Sequence, residues 1–234
     1  MKAVILAGGY GKRLRPITTE KPKPLIDIAK KPILTIQFEW LKNYGISEVI
    51  LCVGFLKEKI IEYVGNGRRF GIKVGYAVEE EPLGTGGALL NSEHLLKGED
   101  RFVVLNGDVI TDLDLSKLIN YPSKSLGALA LVPLRSPYGV IMIDDKDEIV
   151  EFKEKPILKG FWINAGVYYF NHDIFKYLPE KGDIETTAFP KLAEEKKLGA
   201  VKYATCFWRA IDVQKDIEEA ERDLSARKSK TRGC

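Results

Sequence analysis

The sequence predicts an α/β fold built on a mainly parallel sheet with helices on both faces. Short apolar runs rich in β-branched residues alternate with stretches of helical period through the first half of the chain. The runs at 2–6 and 101–105 each end in a glycine turn, where parallel strands deliver backbone to a ligand. The second half is richer in extended segments, which makes the sheet mixed.

The elements follow in order. Lys2 to Leu6 is a buried strand that ends in Ala7-Gly8-Gly9. A helix opens after Pro32, whose fixed φ suits a first turn; Ile33, Ile36, Trp40, Leu41 and Tyr44 recur at helical spacing and Gly45 stops it. Residues 48–53 form a second buried strand, 56–64 a helix with Ile60, Ile61 and Val64 on one face, and 72–78 a strand. A helix over 85–96 is entered through Gly84-Thr85-Gly86-Gly87, and 101–105 is a third apolar strand leading to Asn106-Gly107-Asp108. Strands are expected at 126–132, 139–143, 149–152 and 163–170, with Asp144-Asp145-Lys146-Asp147 as the turn of a hairpin. Helices return at 173–177, 186–195 and 213–224. No repeat or flexible linker interrupts the pattern, so residues 1–226 read as one domain and the basic stretch 227–234 as a loose tail.

Composition bounds the function. The 234 residues are 45% hydrophobic and 29% charged, which is globular and excludes disorder. The net charge of +3 gives no general pull toward nucleic acid or an anionic membrane. Cys52, Cys206 and Cys234 cannot all pair with one another and none has metal-ligand spacing, so a reduced, cytoplasmic protein is expected. The opening apolar run is too short for a signal peptide, and no run is long enough to cross a bilayer.

The stretch Gly8-Gly9-Tyr10-Gly11-Lys12-Arg13-Leu14-Arg15-Pro16 carries the most chemistry. Glycines after a first strand let backbone N–H groups approach phosphate. The spacing is not that of a dinucleotide fingerprint, because Leu14 stands where its last glycine belongs and no acid follows the second strand. It is not a P-loop either, because Lys12 is followed by Arg13. What remains is a glycine loop with its own Arg, whose planar fork suits polyphosphate oxygens. Pro22 and Pro24 hold Lys23 on stiff, extended backbone, which reads alone as a surface loop and beside the glycine loop as a mounted cation for phosphoryl transfer.

These motifs, followed by Lys31-Pro32-Ile33, Glu81-Pro82-Leu83-Gly84-Thr85-Gly86-Gly87, Asn106-Gly107-Asp108, Tyr138-Gly139-Val140, Glu154-Lys155-Pro156 and Asn164-Ala165-Gly166, resemble the sugar-1-phosphate nucleotidylyltransferases over nearly the whole chain. The resemblance, nearest the mannose-1-phosphate guanylyltransferase branch, implies a Rossmann-like fold of the nucleotide-diphospho-sugar transferase type. It implies attack by a sugar 1-phosphate on the α-phosphorus of a nucleoside triphosphate, with release of pyrophosphate and with Mg²⁺ as cofactor.

The resemblance also implies roles. Arg13, Lys23 and Asp108 would be catalytic. Leu6, Ala7, Gly8 and Gly9 would touch the base, with Gly11, Lys12 and Arg13 on the phosphates. Glu79, Pro82, Gly84, Thr85 and Gly87 would complete the nucleotide site with Asn106 and Gly107. Lys155 would hold the sugar phosphate; Glu154, Gly139, Asn164 and Glu185 would line the sugar, and Lys23 would steady the reacting phosphates. Asp108 and Asp212 would bind the metal, although Asp108 also suits a plain turn and Asp212 also suits a helix cap. The pattern usually places the second acid where this chain has Ala210.

Glu79-Glu80-Glu81 supplies carboxylates and no amide where the base edge is read. Guanine presents two adjacent donors that suit a carboxylate, so GTP and GDP-mannose are favoured over thymidylyl or uridylyl transfer to glucose 1-phosphate. The same three Glu also read as a solvated charge run. A non-catalytic nucleotide-sugar sensor is the reading from another class, and a homo-oligomer is compatible with either. A C-terminal hexapeptide β-helix is not expected.

Overall fold

The computed structural model describes residues 1–122 and 125–231. The first half contributes β1 (Lys2–Leu6), α1 (Ile17–Glu20), β2 (Asp27–Ile28), β3 (Lys31–Pro32), α2 (Ile33–Asn43), β4 (Glu48–Val53), α3 (Lys57–Val64), β5 (Lys73–Val78), α4 (Gly84–Asn91) and β6 (Arg101–Asn106). The second half contributes β7 (Val109–Thr111), α5 (Leu115–Ile119), β8 (Gly127–Arg135), β9 (Val140–Ile143), β10 (Ile149–Lys153), β11 (Ile157–Asn171), α6 (Ala188–Glu194), β12 (Leu198–Lys202), β13 (Trp208–Ala210) and α7 (Gln214–Thr231).

The central sheet has seven strands in the order β12-β8-β11-β6-β1-β4-β5. β1 pairs in parallel with β4 and β6, and β4 with β5. β11 runs antiparallel to both β6 and β8, and β12 is parallel to β8, so β11 alone opposes the rest. This is the mixed, mainly parallel α/β sheet the sequence predicts.

Alternation along the strands divides the core. Ala3 and Ile5 of β1 face a cluster with Phe38 and Leu41 of α2 and Ile60 and Val64 of α3. Val4 faces the other side, with Ala88 and Leu89 of α4 and Phe189 and Leu192 of α6. A third cluster joins Leu14, Ile26, Ile28 and Ile33 near the N-terminus to Ile110, Phe207, Ile211 and Ala220. Each buried Leu, Ile, Val or Phe side chain of these clusters contributes roughly 1.5–3 kcal/mol. This cluster positions the site, because Leu14 neighbours Arg13 and Ile211 neighbours Asp212.

Several boundaries differ from the expectation, for local reasons. Leu56 adopts φ 52°, so α3 begins at Lys57. The helix expected over 85–96 breaks at Ser92, whose hydroxyl donates to Leu89 O at 2.7 Å, and a 3-10 turn over Glu93–Leu96 follows. The segment His172–Tyr177 is a 3-10 turn. The strand expected over 163–170 is the middle of a longer one, Ile157–Asn171. The final helix continues to Thr231, so residues 227–231 are helical, not a loose tail; 226–231 contains no Gly or Pro to stop it, and the rest of that expectation, 232–234, lies outside the described residues. The hairpin turn is present: Asp144 Oδ1 accepts the N–H groups of Lys146 and Glu148 between β9 and β10. Among the described residues no helix is long and apolar enough to cross a membrane.

Candidate active site

The C-terminal ends of β1, β5 and β6 open into a cleft of about 380 Å³. Its floor is Leu6 to Gly9 together with Asn106 and Gly107. The two turns are locked together: Gly107 N–H donates to Leu6 O at 2.9 Å, and a Cβ on Gly107 would stand 2.6 Å from that oxygen. Phe55 N–H donates to Gly8 O at 3.1 Å, which ties the glycine loop to the end of β4. Gly11 has φ 58°, and its carbonyl accepts the hydroxyl of buried Thr18 at 2.8 Å. That turn swings Lys12 and Arg13 to the rim.

One wall carries the charge. Lys23 Nζ lies 2.6 Å from Asp108 Oδ2 and 2.9 Å from Asp212 Oδ1. Arg13 Nη2 reaches the same Asp212 oxygen at 2.8 Å. Lys23 is only 13% exposed, whereas Arg13 is 71% exposed and free to change partner. Pairing of β7 with β13 sets Ala210 opposite Val109, and Ile211 N–H donates to Asp108 O at 3.0 Å; this brings Asp212 beside Asp108. Asp212 does not cap the last helix. Asp216 does: its Oδ2 accepts the N–H groups of Asp212 and Val213 at 2.7 and 2.8 Å.

Buried Gln37 braces this wall from behind. Its Nε2 donates to the carbonyls of Asn106 and Val109 at 2.9 and 2.8 Å, on either side of Asp108. Nothing around Gln37 in the chain signals this role, because it sits among apolar residues at helical spacing.

The opposite wall holds Glu79, Pro82, Gly84 and Thr85. Glu79 is 6% exposed, and its Oε2 accepts Leu83 N–H at 3.1 Å. Burial pushes its carboxyl above the ordinary range, against the pull of that N–H. A Cβ on Gly8 would collide with Glu79 Oε1, so carboxylate and glycine loop share one close contact. Glu80 and Glu81 are exposed, and Glu81 pairs with Lys181 at 2.6 Å. The three-glutamate run thus has one member in the cleft.

Gly87, expected to touch nucleotide, does not line the cleft. A Cβ there would meet Glu180 O at 2.5 Å, so its smallness serves packing of α4. Asp183 lines the cleft and was not singled out in the sequence; its Oδ1 accepts Thr85 N–H at 3.1 Å.

Behind Thr85 runs a polar chain. Its hydroxyl donates to Glu185 Oε2 at 2.5 Å and accepts Ile184 N–H at 2.9 Å. Buried Tyr168 donates to Glu185 Oε1 at 3.4 Å and accepts Asn164 Nδ2 at 2.8 Å. Burial, then the Glu185 charge, pushes the Tyr168 hydroxyl up. Asn164 and Glu185 are thus joined through Tyr168, but neither lines the cleft. Gly139, Glu154 and Lys155 form a separate cluster outside the cleft lining, at the foot of the β9–β10 ribbon. A Cβ on Gly139 would lie 3.1 Å from Glu154 Oε2, and Lys155 Nζ is 3.5 Å from Glu154 Oε1.

Two carboxylates within 3 Å of one ammonium nitrogen are a fitting partial set for a hard divalent cation, with phosphate and water oxygens to complete it. Among the described residues no cluster of three or more His, Cys, Asp or Glu could hold a metal by itself.

Comparison with known proteins adds relatives. Residues 2–227 match a family described as nucleotidyl transferase. A D-glycero-alpha-D-manno-heptose 1-phosphate guanylyltransferase of Campylobacter jejuni is 44% identical over 175 residues, covering 75% of this chain and 78% of its own. The mannose-1-phosphate guanylyltransferase catalytic subunit beta of Dictyostelium discoideum is 36% identical, covering 93% of this chain; the chain spans 62% of that relative's length. The crystal structure of HddC from Yersinia pseudotuberculosis complexed with GMP-PN superposes with TM-score 0.74 at 30% identity, covering 95% of this chain and 99% of the other.

Proposed function

Since the chain belongs to the nucleotidyl transferase family, we propose that it transfers a guanylyl group from GTP to a manno-configured sugar 1-phosphate, mannose 1-phosphate first. Pyrophosphate and a GDP-sugar are the products. The observation that carries the choice of base is the Glu79 carboxylate, buried in the cleft wall against Gly8. Guanine N1–H and its 2-amino group are adjacent donors for such an acceptor, whereas uracil and thymine offer one donor between two acceptors. The names of the relatives support the sugar, since both describe guanylyl transfer to mannose or a manno-heptose.

In this reading the base lies on Leu6 to Gly9, and the triphosphate runs along Gly11 and Lys12 toward Arg13 and Lys23. Arg13 exchanges Asp212 for the β- and γ-phosphates. A phosphate oxygen of the sugar 1-phosphate forms a bond to the α-phosphorus, and the bond from that phosphorus to the bridging oxygen breaks. Lys23 holds charge developing on the reacting phosphates, which fixed cations stabilise without reorganisation. No general base is required, because a phosphate monoester is already ionised at neutral pH. Asp108 and Asp212 would hold Mg²⁺, which when bound supplies charge neutralisation at the phosphate oxygens. Asn164 and Glu185 would bind the sugar from behind Thr85, and Lys155 and Glu154 from the foot of the ribbon.

Residues 1–226 act as one catalytic domain, since these ligands come from nearly all of it. The convergence of Arg13, Lys23 and Asp108 favours catalysis over sensing. The free thiols of Cys52 and Cys206 support a reducing, cytoplasmic setting. Mass identification of a GDP-sugar after incubation with GTP, Mg²⁺ and mannose 1-phosphate tests the assignment; pyrophosphate release without a nucleotide sugar would refute it.

A further inference from the structure

Among the described residues, Glu79, Asp108, Asp183 and Asp212 are the carboxylates that line the cleft. The proposed reaction employs three of them and leaves Asp183 without a part. Asp183 stands on the segment 179–187, which precedes α6 and is fastened to the start of α4. Gly182 N–H donates to Leu83 O at 2.7 Å, and Gly182 O accepts the N–H groups of Gly86 and Gly87 at 2.9 and 3.2 Å. Asp183 Oδ1 accepts Thr85 N–H at 3.1 Å, and Ile184 N–H donates to Thr85 Oγ1 at 2.9 Å. The fit is close: a Cβ on Gly84 would stand 2.6 Å from the carbonyl carbon of Gly182, and one on Gly86 2.8 Å from Pro179 Cδ. The N–H groups of Thr85, Gly86 and Gly87 are thus satisfied within the chain, and this wall presents an acceptor to the cleft in place of donors. The Asp183 carbonyl accepts the hydroxyls of Thr186 and Thr187 at 3.2 and 2.7 Å, which holds the backbone as well. Asp183 is exposed, and its Oδ2 has no protein partner among the described residues.

We infer that Asp183 is a specificity residue whose Oδ2 accepts a hydroxyl of the sugar ring, a role that rests on the proposed transfer to a sugar 1-phosphate. Charge decides what Asp183 can bind. Arg13 and Lys23 stand on the other wall and draw the phosphates there, whereas a carboxylate repels phosphate and is left hydroxyl donors. Position decides whose hydroxyl it is. Thr85 joins two acids: its N–H holds Asp183, and its hydroxyl holds Glu185, which shares Tyr168 with Asn164. Neither Glu185 nor Asn164 lines the cleft, so Asp183 is the member of this group that meets a ligand there. The tether on Oδ1 sets the carboxyl plane before the sugar arrives, so little side-chain freedom is lost on binding.

Steady-state kinetics of wild type and Asp183→Asn test this, with mannose 1-phosphate and each of its monodeoxy analogues. The variant keeps an oxygen for Thr85 N–H, so its melting temperature should match that of wild type. Its kcat/KM for mannose 1-phosphate should fall about tenfold, with the KM for GTP unchanged. With the one analogue that lacks the hydroxyl Asp183 accepts, wild type and variant should be equal. An equal loss with every analogue means a merely structural role and overturns the proposal. A rise in the KM for GTP in place of the sugar assigns Asp183 to the ribose and overturns it too. A wild type inert with GTP and every sugar 1-phosphate removes the proposed reaction and this role with it. An active wild type whose kcat/KM is indifferent to Asp183→Asn removes this role alone.

Discussion

Lys23 donates to Asp108 at 2.6 Å, although 85 residues separate them in the chain. The cation of the proline-flanked loop thus sits on the acid that follows β6. It also reaches Asp212 at 2.9 Å, so one ammonium holds both carboxylates proposed for the metal. Lys23→Met removes the cation at the reacting phosphates and should lower kcat by roughly 10²–10³-fold. A coupled pyrophosphate assay measures it, with circular dichroism to verify the fold.

Asp212 precedes the last helix and Asp216 lies in its first turn, and the two make different contacts: Asp212 pairs with Lys23 and Arg13, whereas Asp216 accepts the N–H groups of Asp212 and Val213. Asp216→Ala removes acceptors from two N–H groups at the start of α7 and should cost about 1 kcal/mol of stability, with the Mg²⁺ dependence of turnover unchanged. Asp212→Asn should abolish turnover while leaving the melting temperature within a few degrees. Paired melting and metal-titration curves separate the two.

Glu79→Gln probes the base pocket and has a pH signature. It should lower kcat/KM for GTP by tenfold or more relative to UTP. Burial raises the Glu79 carboxyl, so the folded state binds its proton more tightly than the unfolded chain does. Ionised Glu79 therefore weakens the fold above its raised value, and that penalty is gone below the ordinary carboxylate value of 4.5. The variant should melt higher than wild type at neutral pH, with the gap closing as pH falls to that value.

Tyr168 touches both Asn164 and Glu185 without reaching the cleft. Tyr168→Phe keeps the ring that stacks on Phe170 and removes the hydroxyl. The KM for sugar 1-phosphate should rise about fivefold to tenfold while the KM for GTP stays fixed. Equal changes in both would mean a merely structural role.

Much of this was legible in the sequence, where chemistry and periodicity coincide. β1, β4, β5 and β6 are apolar runs long enough to declare themselves, and Gly8, Arg13, Lys23 and Asp108 stand on the loops that follow strands or glycines. β7 and β13 have three residues each, too few for a period, yet their pairing is what sets Asp212 beside Asp108. Ala210 lies on β13, packed against the core, so the acid comes from beyond the strand's end. Gln37, Tyr168 and Asp183 act through contacts that only packing creates. The glutamate run shows the same limit: only the resemblance picks out Glu79 there, and the physical distinction, burial against two solvated neighbours, comes with the fold.

The central claim is guanylyl transfer to a manno-configured sugar 1-phosphate. It is tested most directly by pyrophosphate release over a grid of GTP, UTP, dTTP, CTP and ATP against mannose, manno-heptose and glucose 1-phosphates. The highest kcat/KM should fall to GTP with a manno-configured sugar. If GTP ranks below UTP and dTTP for every sugar, Glu79 does not read guanine and the account is wrong.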